Sequence, residues 1–191
     1  MDELLVDGGA IRKLWLAEAK AYRDHLLRLD PESRRNRFGG AVADEFVAAY
    51  AAGAMRVRAV MHGFLVDRVL RGVAELKPFG AAFPTEAEVA FSIEKPWQSH
   101  GVGSVLLERT LLAARNRGIK LVHMACLADN ARMQQLARKY EAELSFDMGS
   151  VVGEVAAPQA TPLSVFREML ADGHGFATAV LDVQARLLKP A

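Results

Sequence analysis

The fold is decided by residues 87–122, AEVAFSIEKPWQSHGVGSVLLERTLLAARNRGIKLV. The first residues of this stretch alternate between apolar and small or polar side chains. This period of two predicts a strand over residues 86–94. After a short loop the chain predicts a long helix over residues 101–117, and Gly118 stands where a helix commonly ends. A strand, a glycine-containing turn and a long helix are therefore expected to follow one another directly.

The turn has the spacing of a phosphate-binding site. Gln98, Gly101 and Gly103 form the pattern Q-x-x-G-x-G at the start of the helix. The first N–H groups of a helix lack intrahelical partners and lie at the positive end of its dipole, and glycine lets a ligand approach the backbone closely. Residues 98–104 are therefore predicted to hold a pyrophosphate group. The alternative is a glycine turn that only begins the helix.

Two common nucleotide-binding motifs do not match this turn. The dinucleotide motif requires a third glycine where this chain has Leu106, and it follows a βαβ unit rather than a meander of strands. The P-loop requires Gly-Lys followed by Ser or Thr, whereas Gly103 is followed by Ser104 and Val105. Neither motif therefore explains the glycines.

The elements around this stretch predict a mixed α/β (α+β) sheet with helices on both faces. Two helices precede three strands, and a strand–helix unit, two short strands and a helical tail follow the long helix. The other predicted helices cover residues 11–29, 42–52, 130–143, 162–172 and 175–188. The other predicted strands cover residues 56–62, 64–76, 121–127, 144–149 and 151–157, with a break between the first two at Gly63.

Composition is that of an ordinary globular protein. Of its 191 residues, 51% are hydrophobic and 25% are charged, with 24 Lys and Arg against 23 Asp and Glu. Nucleic-acid and membrane partners are not expected, because the charges balance and no apolar run approaches the roughly 20 residues of a membrane span. The acidic start lacks a long apolar run, which predicts a cytoplasmic protein. With Cys126 as the single cysteine and no ligand spacing among the histidines, no metal is expected.

Residues 87–122 resemble the central motif of the GNAT superfamily of N-acyltransferases. That motif has a strand, an aromatic residue at the position of Trp97, and then R/Q-x-x-G-x-G/A opening a long helix. Residues 127–140, LADNARMQQLARKY, are similar to the family's next motif, in which a strand ends near an Asn that leads into a helix. Residues 28–38 resemble its substrate-side helical segment.

The resemblance covers residues 11–156 in element order. It implies a GNAT-like, mostly antiparallel central sheet flanked by helices, with the acyltransferase domain at residues 1–158. Residues 159–191 are then expected to form a C-terminal helical extension packed on the same domain. This extension covers a face of the sheet or forms a homodimer contact.

Acetyl-CoA is the cosubstrate that the resemblance implies. In that family the pyrophosphate lies on the N–H groups of the turn, and the pantetheine arm pairs with the preceding strand, where an N–H also stabilises the oxygen of the thioester adduct. Asn130 matches an Asn that contacts the pantetheine or acyl group, and Asn is equally a common helix cap. The implied cofactor-binding residues are Phe91, Ser92, Ile93, Gln98, Ser99, His100, Gly101, Val102, Gly103, Ser104 and Asn130.

Acyl transfer to an amine requires a group that removes a proton from the amine. Family members use a Glu on the strands that face the cleft, so Glu88 is the first candidate and Glu75 the second. The alternative for each is a solvated carboxylate. Glu94 ranks low because it would repel the pyrophosphate. The family's general acid, a Tyr seven residues after the Asn, is replaced by Ala137, and Tyr140 is either its substitute or a packing residue.

The expected activity is transfer of an acetyl group from acetyl-CoA to a primary amine of an unidentified small-molecule or protein acceptor. Transfer is expected to be direct, in a ternary complex, because no nucleophile is evident. The alternative is an acyl-CoA-binding sensor or interaction module without turnover. Arg34, Arg35 and Arg37 are expected to lie in a solvated loop, or to bind the 3′-phosphate of CoA or an acidic substrate. Cys126 is expected to be a buried small hydrophobe.

Overall fold

The structure is a computed structural model that describes residues 5–6, 8–54, 59–80 and 82–187. Residues 56–58 and 188, parts of a predicted strand and a predicted helix, lie outside the described residues. The strands are β1 Leu5–Val6, β2 Gly9–Lys13, β3 Val60–Val66, β4 Val69–Pro78, β5 Glu86–Ile93, β6 Leu121–Leu127, β7 Glu143–Asp147 and β8 Ser150–Ala156. The helices are α1 Ala19–Arg28, α2 Pro31–Phe38, α3 Asp44–Ala54, α4 Val102–Asn116, α5 Ala131–Lys139 and α6 Pro162–Leu187.

These strands form one mixed sheet, whose order within the described residues is β1-β2-β3-β4-β5-β6-β8-β7. Every neighbouring pair is antiparallel except β5 and β6, which run parallel. The predicted mixed, mostly antiparallel sheet is confirmed. The central strand, turn and helix of the deciding stretch are confirmed to within one residue as β5 and α4.

Two apolar cores, one on each face of the sheet, hold the layers together. The first joins α1 and α3 to β3 and β4 and contains Tyr22, Leu26, Val47, Leu65 and Val73. The second joins α4 to β3, β4 and β5 and contains Phe64, Leu76, Val89, Leu106 and Leu107. Consecutive strand residues point to opposite faces, which is why neighbours such as Phe64 and Leu65 belong to different cores.

The N-terminal segment is a strand followed by a helix, whereas the sequence predicted one helix over residues 11–29. Ile11 lies in β2 and pairs with Phe64 of β3. The helix α1 begins only at Ala19, after a single 3-10 turn over Leu16–Glu18. Pairing with a strand distant in sequence supplies the backbone hydrogen bonds here, and it overrides the local helical spacing.

The turn between β3 and β4 lies at Asp67 and Arg68, not at Gly63 as predicted. Both residues have positive φ, 49° and 62°, as in the two-residue turns that match the twist of a hairpin. Gly63 lies inside β3, where a Cβ would come within 2.6 Å of Leu14 and 2.7 Å of Leu70. The close approach of these two side chains, rather than a turn, requires the glycine.

Residues 31–38 form the helix α2, in agreement with the resemblance of residues 28–38 to a helical segment, whereas Arg34, Arg35 and Arg37 were expected in a solvated loop. Asp30 is the N-cap and accepts hydrogen bonds from two N–H groups of the first turn, Pro31 occupies the first helical position, and Gly39 ends the helix with a φ of 73°. This helix contacts β5 and β6. Its side chains therefore border the region in which those two strands meet.

The C-terminal segment is one continuous helix, α6, rather than the two predicted over residues 162–172 and 175–188. It packs against α4 and β2. A Cβ at Gly175 would lie 3.1 Å from the Cβ of Arg12, so this glycine lets the helix approach β2. In the part of the chain that the structure describes, no helix combines the length and apolar content of a membrane span.

Candidate functional site

The strands β5 and β6 pair only briefly before they separate. Their ladder ends at Glu88 and His123, whereas β5 pairs with β4 up to Ile93 and β6 pairs with β8 up to Leu127. Beyond Glu88 the backbone groups of β5 that face β6 therefore have no strand partner. A cavity of about 420 Å³ occupies this gap, and we call it the first cavity.

The first cavity is lined by most of the predicted cofactor-binding residues. Those that line it are Phe91, Ser92, Ile93, Gln98, Ser99, Gly101, Gly103, Ser104 and Asn130. The other two predicted residues, Val102 and His100, do not line the first cavity. The Val102 side chain is buried in a core, and His100 is exposed to solvent. Arg37, which the sequence offered as a ligand for the 3′-phosphate of CoA or an acidic substrate, also lines it. Lining residues of α2 and α5 that sequence reasoning missed are Ser33, Asn36, Arg132, Met133, Gln135, Leu136 and Lys139.

The turn before α4 borders the first cavity with open backbone. Ser99 and Gly101 have positive φ of 64° and 83°, and α4 begins at Val102. The N–H groups of Val102 and Gly103 lie in the first helical turn, so they have no intrahelical acceptor and lie at the positive end of the helix dipole. A Cβ at Gly103 would make only ordinary contact, 3.5 Å from Leu136 Cδ2. The helix N-terminus is therefore accessible to an anionic group.

The Gln98 side chain holds the turn in place. Its Nε2 donates to the carbonyl oxygen of Ile93 at 2.8 Å and to Ser33 Oγ at 2.9 Å. Ser33 Oγ in turn donates to Asp30 Oδ2 at 2.6 Å. The side chain thus connects the end of β5, the turn and the start of α2, which leaves the backbone of the turn to meet a ligand.

Asn130 lines the first cavity and also caps α5. Its Oδ1 accepts a hydrogen bond from the N–H of Met133 at 3.1 Å. The interpretation of Asn130 as a helix cap is confirmed, and its contact with a ligand stays a prediction.

A second cavity, of about 440 Å³, adjoins the first one. Residues that line both cavities are Asn36, Arg37, Ala90, Ala125 and Cys126. Further residues of the second cavity are Phe38, Gly39, Tyr50, Glu75, Lys77, Glu88, Leu127 and Ser150. Two ligands that occupied the two cavities would meet beside the shared residues.

Glu75 is buried at the second cavity, and its Oε2 accepts three hydrogen bonds. The donors are Tyr22 at 3.0 Å, Tyr50 at 2.8 Å and Arg37 Nη2 at 2.7 Å. Burial raises the pKa of both tyrosines, so their hydroxyls stay protonated and donate. The interpretation of Glu75 as a solvated carboxylate is wrong, because α1, α2 and α3 each bring one hydrogen-bond donor to this buried carboxylate.

Glu88 lines the second cavity without a hydrogen bond or ion pair to any other residue that the structure describes. It is half-buried and lies two residues from Ala90, which is opposite Glu75 in the β4–β5 register. Alternate residues of a strand share a face, so Glu75 and Glu88 lie on the same side of the sheet. The two candidate carboxylates thus border one cavity in different environments.

Tyr140 lines neither cavity. Its hydroxyl oxygen lies 2.9 Å from Glu108 Oε1 and 3.0 Å from the carbonyl oxygen of Ser104. Burial and the neighbouring Glu108 raise the pKa of Tyr140 to about 12. The geometry agrees with a packing residue between α5 and α4. Ala137, where the resemblance expects a Tyr, is buried in the core.

Glu94 is buried and held by cations rather than aimed at the turn. Its Oε1 accepts from Arg28 Nε at 3.0 Å and lies 3.2 Å from His25 Nδ1, while Oε2 accepts from Arg71 Nη1 at 2.8 Å. Burial opposes its charge, but these partners together lower the pKa of Glu94. The carboxylate fixes the end of β5 and lines neither cavity.

The three arginines of α2 make different contacts. Arg34 pairs with Asp44, and Arg35 pairs with Asp129 at 2.8 Å. Arg37 is buried and lines both cavities. The expectation of a solvated loop is therefore wrong for Arg37, because α2 turns this side chain toward the sheet.

Cys126 is half-buried and lines both cavities, so the expectation of a buried hydrophobe is wrong. It lies on β6 beyond the last pair with β5, so only its β8 side is paired, with Val151. Burial nevertheless raises the pKa of its thiol. Among the described residues, no group of three or more His, Cys, Asp or Glu side chains is placed to hold a metal ion.

The chain matches the model of the acetyltransferase (GNAT) family over residues 10–141. Its structure is similar to the GNAT domain of S. lividans PAT, at 24% identity and a TM-score of 0.67, covering 78% of this chain and 90% of that one. It is also similar to yncA, a putative acetyltransferase from Salmonella typhimurium solved with acetyl-CoA, at 14% identity and a TM-score of 0.59, covering 81% and 97%.

A third similar structure is a cAMP-binding acyltransferase from Mycobacterium smegmatis, at 17% identity and a TM-score of 0.60. The match covers 91% of this chain and 55% of that one, so this chain spans about half the length of that protein. These likenesses establish the fold. The family model covers more than half of the chain, from β2 through α5, and includes both the separation of β5 from β6 and the glycine turn. The chain therefore belongs to the acetyltransferase (GNAT) family.

Proposed function

We propose that this protein is an N-acetyltransferase that moves the acetyl group of acetyl-CoA to a primary amine of a small-molecule or protein acceptor. The observation that carries the proposal is the separation of β5 from β6 beside the open N–H groups that begin α4. An extended ligand arm can pair with the free backbone of β5, and a pyrophosphate can bind the helix N-terminus. Acetyl-CoA has both parts.

Cations border the first cavity and suit an anionic cosubstrate. Arg132 and Lys139 of α5 line it, and Lys139 Nζ donates to Ser104 Oγ at 3.0 Å, beside the turn. We propose that these two side chains attract the phosphates of the CoA nucleotide. The similar Salmonella protein, whose structure holds acetyl-CoA, supports this cosubstrate.

The proposed reaction is direct transfer in a ternary complex. An amine in the second cavity attacks the thioester carbonyl beside the shared residues, and an N–H of β5 stabilises the resulting oxyanion. Glu88 receives the amine proton, because its carboxylate has no competing partner among the described residues. Glu75, the second candidate, is assigned to hold Arg37 and Tyr50, and Tyr140 is assigned to packing.

Calorimetric titration with acetyl-CoA tests the cosubstrate site. We expect the wild-type protein to bind and Gly103→Asp to bind at least about tenfold more weakly, a loss of about 1.4 kcal/mol, because a carboxylate then occupies the place of the pyrophosphate. The fold should survive, since a Cβ at Gly103 meets nothing closer than 3.5 Å. Gly53→Asp, the same change at an exposed helical glycine outside both cavities, should bind like the wild type.

Failure of the wild-type protein to bind acetyl-CoA would overturn the proposal. Release of CoA in the presence of primary amines then separates an enzyme from the alternative, an acyl-CoA-binding module. Binding without any release of CoA across a panel of small amines and lysine peptides would favour that module.

A homodimer also stays a prediction. The helix α6 carries large apolar side chains that are more than half exposed: Leu163, Phe166, Met169 and Phe176. This is the surface on which a second copy of the extension would pack.

A further inference from the structure

Arg37 lies where the two cavities meet. Its side chain is 7% exposed, and it is one of the residues that both cavities share. Its guanidinium carbon lies 5.1 Å from the ring centre of Phe38 and 5.0 Å from that of Tyr50. Aromatic faces at this distance stabilise a buried cation. The structure thus fixes a guanidinium at the junction, where its charge is paired with the Glu75 carboxylate.

Among the described residues, hydrogen bonds engage one of the three guanidinium nitrogens of Arg37. Nη2 donates to Tyr50 Oη and to Glu75 Oε2, each at 2.7 Å. Nε and Nη1 donate to no residue that the structure describes. Both atoms are reached by solvent, so neither is a buried donor without a partner. The open space that Arg37 borders is the two cavities, so these donors are free for a ligand there.

We propose that Arg37 stabilises the thiolate of CoA as it leaves, which makes it a further catalytic residue of the proposed acetyl transfer, on which this inference rests. The amine nitrogen attacks the thioester carbon, the C–N bond forms, and the C–S bond breaks. Sulfur keeps the electron pair of that bond and leaves as a thiolate beside Arg37. The amine proton passes to Glu88, and solvent water later protonates the thiolate.

A fixed cation suits this step because, among the described residues, no tyrosine hydroxyl from α5 or its end lines either cavity. Ala137 stands where the resemblance expects a Tyr, and the Tyr140 hydroxyl is bound to Glu108 outside both cavities. A thiolate is a weak base, as the cysteine pKa of about 8.5 shows, and a nearby positive charge stabilises it further as it leaves. A guanidinium, with a pKa above about 12, acts here as a charge and not as a proton donor.

The test measures the pKa of the CoA thiol in the bound complex. The thiolate is followed by its ultraviolet absorbance as the pH rises, with CoA lacking its sulfur atom as the blank. We expect bound CoA to have a thiol pKa about one unit or more below that of free CoA. The shift should disappear in Arg37→Gln and persist largely in Arg37→Lys. Arg34→Gln, on the same helix but outside both cavities, should leave it unchanged.

Arg37→Gln leaves the buried carboxylate of Glu75 without its cation, which can prevent folding. The double variant Arg37→Gln/Glu75→Gln replaces the ion pair by two neutral amides and keeps the measurement available. Glu75→Gln alone retains Arg37 and should keep the lowered thiol pKa. In turnover, kcat should fall about 10²- to 10³-fold in the double variant. KM for acetyl-CoA should change little, because the thioester sulfur carries no charge.

An equal thiol pKa in the wild-type and Arg37→Gln complexes would overturn the inference. An effect of Arg37→Gln confined to KM for acceptors that carry a carboxylate would also overturn it, since Arg37 would then bind the acceptor. If the wild-type protein does not bind CoA, the proposed function itself fails. Binding of CoA with an unshifted thiol pKa removes only the role of Arg37.

Discussion

Glu75 and Glu88 show how two carboxylates on one face of a sheet acquire different chemistry. Glu75 Oε2 accepts three hydrogen bonds, one of them from a guanidinium, so the protein itself occupies this carboxylate oxygen. Glu88 lacks a partner among the described residues, so its oxygens are available to a bound amine. The assignment of roles therefore follows from the neighbours of each residue and not from the residue type.

Glu88→Gln should lower kcat/KM for the amine about 10²- to 10⁴-fold, because the variant cannot take the proton. The affinity for acetyl-CoA should not change, since Glu88 lines only the second cavity. Steady-state rates and calorimetry measure the two effects. Glu86→Gln, at an exposed position on the same strand that pairs with His123, is the matched control and should keep its rate. Full activity of Glu88→Gln would exclude Glu88 as the base.

Sequence reasoning ranked Glu88 before Glu75, and the environment of Glu88 supports that order. Sequence reasoning could not predict the hydrogen-bond donors around Glu75. Tyr22, Arg37 and Tyr50 belong to three helices that are distant in sequence from β4, and only the packing of those helices on the sheet brings the side chains together.

Among the elements, α2 had local sequence signals that predict a helix. Asp30, Pro31 and Gly39 are the residue types that cap, begin and end helices. A helix between them places Arg34 and Arg37 on one side, three residues apart. The segment has almost no apolar residues, so the usual periodicity is missing, and polar contacts such as that between Arg37 and Glu75 hold α2 in place.

The helix α6 is held to the rest of the protein by side chains from β2, the loop after it and the end of α4, where Arg117 pairs with Glu168. Lys13 pairs with Asp172 at 2.6 Å, and the ring of Trp15 packs edge-on against Phe176 at 5.2 Å. Among the residues whose side chains the structure describes, none that lines either cavity comes from α6. We propose that residues 159–191 are an extension that stabilises the acetyltransferase domain without forming its site.

Deletion of residues 159–191 should therefore lower the free energy of unfolding by about 2 kcal/mol. Most of this comes from apolar contacts, since partly exposed ion pairs contribute little. Acetyl-CoA affinity should stay within about twofold of the full chain, a difference below 1 kcal/mol. Urea unfolding and calorimetry check the two values. A truncated protein that folds but no longer binds acetyl-CoA would contradict the proposal.

On the scale of the whole molecule, one buried histidine lies on each face of the sheet. His25 contacts Ser92 Oγ at 2.9 Å and Glu94 Oε1 at 3.2 Å. His62 lies 3.5 Å from Thr110 Oγ1. Burial lowers the pKa of His25, and burial with the charges of Arg109, Lys13 and Arg117 lowers that of His62 to about 3. Both are therefore neutral in the folded protein at pH 7.

Folding stability should fall as the pH drops below about 6.5, the pKa of an unfolded histidine. Between that pH and the lower native pKa, the unfolded chain binds more protons than the folded one, so acid favours unfolding. Each buried histidine contributes a slope of about 1.4 kcal/mol per pH unit. Urea unfolding at several pH values between 5 and 7 measures this slope. This pH range lies above the range in which most carboxylates titrate.

The control for this prediction is His62→Gln. Its free energy of unfolding should depend less steeply on pH than that of the wild type, by about 1.4 kcal/mol per unit well below pH 6.5. An identical slope in the two proteins would show that His62 is protonated in the folded state.

The local sequence was enough to predict β5, the glycine turn, α4 and β6, and phosphate binding by residues 98–104 stays a prediction from the same pattern. These features depend on local spacing and on residues such as Gly101 that set the backbone directly. Only the tertiary structure decided that β5 and β6 separate beyond Glu88, that residues 9–13 form a strand, and that Arg37 lies between two cavities. Each of these depends on pairing and packing between segments far apart in the chain, and local spacing carries no information about such contacts.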